Sequence, residues 1–181
     1  LSGRVGIDRT MRIHQVASWV VLAFIVAHPL LYAAPRLIPE PLEALASLDR
    51  MFSSPHLRSG VAAWGLMILL VPLAAFRDRL RFRYELWRLS HGLAVIAIVM
   101  LATHHTVHVG SYSADPWLAA FWIAATILAL LAMLHTYVLK PLMHLRRPYR
   151  VVSNRKVADR MWEIAVEPAR GVAMQFSAGQ F

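Results

Sequence analysis

The sequence predicts an all-α membrane protein, a helical bundle with four transmembrane helices, followed by the first β-strands of a second domain. Three observations carry this. Of the 181 residues 58% are hydrophobic and 16% charged, with a mean hydropathy of +0.50, too apolar for an ordinary soluble domain. Four apolar runs reach the about 20 helical residues needed to cross a hydrocarbon layer roughly 30 Å thick. From Tyr149 onward the texture changes to short segments rich in Val, Ile and aromatics.

The spans are predicted at residues 14–34, 59–76, 88–109 and 117–139. The first lies in 12-RIHQVASWVVLAFIVAHPLLY-32; more spans follow it and it has no small-residue cleavage pattern, so it is not a signal peptide. After it, Pro35, Pro39 and Pro41 open a loop. There 42-LEALASLDRMF-52 sets Leu42, Leu45, Leu48, Met51 and Phe52 on one helical face, as expected of a short amphipathic helix roofing the bundle at the membrane surface. The loop 110-GSYSADP-116 is short, which makes the third and fourth spans antiparallel neighbours.

Behind the fourth span, 140-KPLMHLRRPYR-150 reads as a linker, and 149-YRVVSNR-155, 161-MWEIAVEP-168 and 172-VAMQFSAGQF-181 read as strands. The expected division is a membrane domain over 1–145 and a linker with the truncated start of a soluble domain over 146–181.

The formal charge of +9 does not form a stripe with interleaved aromatics, so nucleic acid is not expected as a partner. The cations collect at span ends instead: Arg4, Arg9 and Arg12; Arg77, Arg79, Arg81, Arg83 and Arg88; Lys140, Arg146, Arg147 and Arg150. On the other side Arg36, Arg50 and Arg58 are matched by Glu40, Glu43 and Asp49. The positive-inside rule then places the N-terminal segment and the C-terminal tail in the cytoplasm, and a bacterial inner membrane is the expected location. The chain has no cysteine, which excludes disulfides, thiolate metal sites, iron–sulfur clusters and thioether-linked haem. Any metal must be held by histidine.

Ionisable groups inside a bilayer are costly, and the histidines there follow a pattern. His14 and His28 are 14 residues apart in the first span; His91 and His105 repeat that spacing in the third. Fourteen helical residues rotate a side chain by about −40° and raise it by roughly 21 Å, so each pair faces one way at two depths. His104 is 13 residues from His91 and about 140° out of phase, a geometry that needs a kink or bulge; it stays the alternative to His105. Spans one and three run in the same direction, so His14 meets His91 near the cytoplasm and His28 meets His105 near the outside. Two facing imidazoles can ligate a haem iron on both axial sides, and two such pairs stack two haems b across the bilayer. The iron then has no open position, which favours electron transfer.

Around these ligands, Arg9, Arg12 and Arg88 are candidate partners for haem propionates, although positive-inside anchoring accounts for them equally. Gly92, Ala94 and Ala97 make room either for a macrocycle or for tight helix packing. His108 serves an outer acceptor or sits among headgroups. His135 is read as packing or a propionate contact, and His56 and His144 as solvated loop residues.

The paired histidines in two spans, the lead-in 84-YELWRLSHG-92 and a last span running through 140-KPLMHLRRPYRVVS-153 into a β-domain resemble the ferric reductase and NADPH oxidase superfamily over nearly the whole chain. The resemblance implies two stacked b-type haems ligated by His14, His28, His91 and either His104 or His105. It also implies that the tail begins a ferredoxin-reductase-type FAD-binding β-barrel, with 178-AGQF-181 similar to the strand before the flavin motif. The family usually has six spans, so two N-terminal helices, the flavin motif and the nicotinamide domain are expected outside this chain, which by itself should not oxidise NAD(P)H.

The implied activity of the complete protein is that of an NAD(P)H-dependent oxidoreductase, passing electrons from cytoplasmic FAD through the haems to an external acceptor, dioxygen or a ferric chelate. A stand-alone diheme b-type cytochrome without its own flavin is the alternative, and the strand-rich tail argues against it. A histidine-based metal or proton transporter would want Asp or Glu inside the spans, and there is none. The bilayer and haem are the expected partners, with self-association into a homo-oligomer left open.

Overall fold

A computed structural model describes residues 6–80, 83–110, 115–146 and 148–169. Arg4, Arg81, Arg147, most of the 110–116 loop and the expected third strand with 178-AGQF-181 lie outside the described residues.

Helix α1 runs Ile7–Leu37, α2 Pro41–Ser53, and a 3-10 turn at Pro55–Leu57 leads into α3, Arg58–Ala75. Then follow α4, Tyr84–Val109, and α5, Pro116–Leu134, which passes through a π-helical turn at His135–Leu139 into α6, Lys140–Leu145. Strands β1, Tyr149–Ala158, and β2, Met161–Pro168, form an antiparallel hairpin. Four helical stretches are long and apolar enough to cross a membrane: Asp8–Leu37, Pro55–Ala75, Tyr84–Val109 and Pro116–Leu145. They are the predicted spans, the first and fourth longer at both ends and the second and third longer at their N-terminal ends.

Those shifts have physical causes. Pro35 was expected to open the first loop, yet α1 continues through both Pro29 and Pro35 to Leu37. A proline inside a membrane helix is tolerated where its freed carbonyl finds another donor. That donor is present for Pro29: the Ile25 carbonyl, four residues before it, accepts the Trp64 indole N–H at 3.1 Å from α3. At the other end, residues 140–145 are helical rather than part of an extended linker: α5 continues without a break, and the π-helical turn just before Pro141 adjusts the hydrogen-bond ladder where the proline offers no N–H. Asp115 caps α5, its carboxylate accepting the Trp117 and Leu118 amides at 2.8 and 3.3 Å.

Packing is arranged around α3, which lies against both α1 and α4, while α5 lies against α4. The small core between α3 and α4 is Leu70, Trp87 and Ile98, with Leu66, Met67, Ala94 and Val95 against it. Most other large apolar side chains point outward, as lipid-facing surfaces do, since lipid is as apolar as the side chains themselves. Helix α5 is joined to α4 by a Thr103–Thr126 hydroxyl hydrogen bond and by Tyr137, whose hydroxyl donates to the Arg88 carbonyl at 3.2 Å.

Helix α2 lies against the outer end of α1, as the roof reading expects, but its apolar face divides. Ala44, Leu48 and Met51 turn inward, whereas Leu42 and Leu45 are exposed. Phe52 stacks on Trp64 with centroids 5.1 Å apart. In the hairpin both faces are exposed; Val151, Trp162, Ile164 and Val166 share one of them, and Arg150, Arg155, Glu163 and Glu167 the other.

Candidate functional site

The two histidine-bearing helices, α1 and α4, do not touch: among the described residues none of their Cα atoms come within 8 Å of one another. Helix α3 holds both and sets the gap between them. Across the gap the imidazoles lie level with one another, within electrostatic range. His91 is close enough to His14 for their charges to interact, and His105 is likewise close to His28. Parallel helices with equal 14-residue spacings must pair this way, lower with lower and upper with upper.

Each imidazole has its own surroundings. His91 is half-buried, with the Trp87 ring 5.1 Å from its own, and Arg77 lies within electrostatic range. His14 is exposed, and its carbonyl accepts the Ser18 hydroxyl at 2.7 Å. His28 is followed directly by Pro29, and Tyr32 meets its ring edge-on at 5.3 Å. His105 is half-buried against Gly60 of α3. A Cβ added at Gly60 would stand 2.5 Å from His105 Nδ1, so the ring fits only because position 60 has no side chain. The Nδ1, Cε1 and Cγ atoms of the ring all lie within 2.8 Å of where that Cβ would stand.

His104 and His105 diverge as the helical phase demands. His104 is exposed, its Nδ1 lies 3.0 Å from the Ser59 hydroxyl, and its ring stacks at 4.6 Å on His108. It needs neither a kink nor a bulge there, and α4 is α-helical throughout, with no proline and no π-helical turn. The buried side-chain polar atoms without a hydrogen-bond partner, among the described residues, are His91 Nδ1 and His105 Nδ1. Buried polar atoms are normally satisfied, so these two imidazole nitrogens, one at each depth of α4, stand out.

The remaining expectations fare unevenly. Arg9 and Arg12 are exposed in the first turns of α1, while the Arg88 guanidinium lies over the Tyr137 ring at 5.2 Å. Gly92 makes room for Tyr137, whose ring a Cβ would meet at 2.9 Å, and Ala94 packs on the α3–α4 core. Helix packing thus accounts for both. His135 and His144 are exposed, and His56, read as a mere solvated loop residue, lies within electrostatic range of His105. Sequence reasoning missed Arg77 as a neighbour of His91 and Gly60 as the seat of His105; both contacts cross helices and leave no local signal.

Beside the C-terminal end of α1 a cavity of about 360 Å³ opens toward α2, lined by Tyr32, Arg36, Ser47, Arg50 and Leu57 among others. Tyr32 links it to His28. Arg50 is paired with Glu43 at 2.6 Å.

The donor chemistry suits a flat group held by one imidazole from each side. Among the described residues no three or more His, Asp or Glu side chains converge on a point, so the spans do not build a closed, zinc-type site. A family model described as "Ferric reductase like transmembrane component" matches residues 2–102. It takes in His14, His28 and His91 and ends just before His104. An uncharacterized protein of Archaeoglobus fulgidus is 22% identical over 140 residues, 76% of either chain. No solved structure matches the chain.

Proposed function

The chain belongs to the ferric reductase like transmembrane family, and from that premise we propose that it carries electrons across the membrane between two depth-matched pairs of histidines. His14 and His91 would hold a haem b near the cytoplasmic face and His28 and His105 a second near the outer face. Haem bound there supplies one-electron carriers at two depths, with both axial positions filled. The observation that carries the reading is that His91 lies within electrostatic range of His14, and His105 of His28, across two helices whose Cα atoms stay more than 8 Å apart.

The chain's own residues do the positioning. Gly60 and Pro29 set the outer imidazoles, Trp87 backs His91, and α3 keeps α1 and α4 apart. Arg9, Arg12, Arg88 and Arg77 supply the positive charge that propionates require at the inner face. On the outer side, the cavity beside Tyr32 has Arg36 and Arg50 in its lining, which suits an anionic acceptor such as a ferric chelate better than dioxygen. The cytoplasmic placement of both ends follows from the positive-inside rule.

From residue 146 a flavin domain would begin, taking hydride from NAD(P)H and delivering single electrons to the inner side. The hairpin supports this: a two-stranded ribbon is marginal alone, and this one exposes an apolar face of Val151, Trp162, Ile164 and Val166 that further structure would cover.

The test is the reduced-minus-oxidised optical spectrum of the detergent-purified protein with a pyridine haemochrome count. Two b-type haems per chain are expected. A preparation reconstituted with haem that shows no Soret band would sink the proposal.

A further inference from the structure

His104 and His108 are not used by the haem reading, and they stand together on the exposed side of the last turns of α4. We propose that this pair, oriented by Ser59, is a binding site for a divalent transition-metal cation of the Zn²⁺ or Cu²⁺ class at the outer end of the bundle, distinct from the pair His28–His105.

Four residues along a helix return a side chain to within about 40° of the same face, so the two rings are neighbours by construction. Their centroids are 4.6 Å apart with the planes tilted by 45°. Two imidazoles on one face at i and i+4 are the arrangement helical metal sites use. The Ser59 hydroxyl, 3.0 Å from His104 Nδ1, is the second observation. When it accepts the Nδ1 proton it fixes the tautomer that leaves the Nε2 lone pair free, which is the role outer partners play for metal-bound histidines. Both rings are exposed in the last turns of α4, so no other part of the protein covers them.

Imidazole selects Zn²⁺, Cu²⁺ and Ni²⁺ over Mg²⁺ and Ca²⁺, which prefer oxygen. Among the described residues no third His, Asp or Glu converges with the pair, so water completes the coordination and binding is reversible. The cation lies one position along α4 from His105. If His105 ligates the outer haem, as proposed above, the added positive charge raises that haem's midpoint potential. The binding itself does not depend on that assignment.

The experiment is titration of Cu²⁺ into the tag-free, haem-loaded protein in detergent, followed by electron paramagnetic resonance and by haem count. One Cu²⁺ with two-nitrogen coupling is expected. His108→Gln should abolish that signal and Ser59→Ala should weaken binding about tenfold, both variants keeping two haems. Equal Cu²⁺ binding by wild type and His108→Gln would overturn the cation site and leave the haem reading intact. Loss of a haem in His104→Gln would overturn both the cation site and the assignment of His105, because His104 would then be the haem ligand.

Discussion

Trp64 donates its indole N–H to the carbonyl of Ile25 at 3.1 Å, joining α3 to α1 one turn below His28. The bond exists because Pro29 has no N–H to offer that carbonyl. A proline placed directly after a candidate ligand therefore does two things: it breaks the ladder at His28 and creates the acceptor that fastens α1 to its neighbour.

Trp64→Phe keeps the ring and removes the donor. Hydrogen bonds between membrane helices average about 0.6 kcal/mol and reach about 1.7; the orphaned carbonyl puts this one toward the upper end. Thermal loss of the Soret band should shift to lower temperature, with the outer haem leaving first. An unchanged midpoint would mean that the bond does not hold α1.

Gly60→Ala places a methyl group 2.5 Å from the His105 ring. The clash reaches back to Cγ at 2.8 Å, so the whole imidazole must shift from its position, and the variant should lose the outer haem and keep the inner one. Gly92→Ala meets the far end of Tyr137 instead, at 2.9 Å, and that side chain can swing. It should keep both haems and lose some stability. Pyridine haemochrome counts on the two variants separate these outcomes; two haems in Gly60→Ala would refute the seat assigned to His105.

Arg77 lies within electrostatic range of His91. A nearby positive charge stabilises the reduced, less positive form of a haem, so Arg77→Gln should lower the inner midpoint potential. The group is partly exposed and paired with Asp78 at 3.3 Å, which screens it, so the shift should be roughly a few tens of millivolts. A redox titration that moves the outer potential instead would place Arg77 with the wrong pair.

A chain ended after Arg146 removes the hairpin and no part of α1 through α6. If residue 146 opens an independent domain, the shortened protein should retain both haems. Failure to take up haem would mean that the tail helps to build the membrane part.

Much of this was legible in the sequence, for identifiable reasons. Four apolar runs of membrane length can hardly be anything but spans, and the choice of facing residues follows from helical phase: 14 residues keep His91 and His105 together, 13 throw His104 to the exposed side. The strand texture after Tyr149 was equally plain. What stayed hidden is what depends on a second helix. Pro35 looked like a helix end because local propensity cannot see a membrane neighbour. The π-helical turn at His135–Leu139 has no signature in HTYVL, and Tyr137 on Gly92 or His105 on Gly60 cannot be read from either residue alone.

The most direct test of the paired-histidine account is the haem count of single variants in one preparation series. His14→Ala and His91→Ala should each lose one haem and share one spectrum; His28→Ala and His105→Ala should each lose the other and share a second spectrum, while His104→Ala keeps two. Two haems retained in His105→Ala, or different residual spectra within a pair, would contradict it.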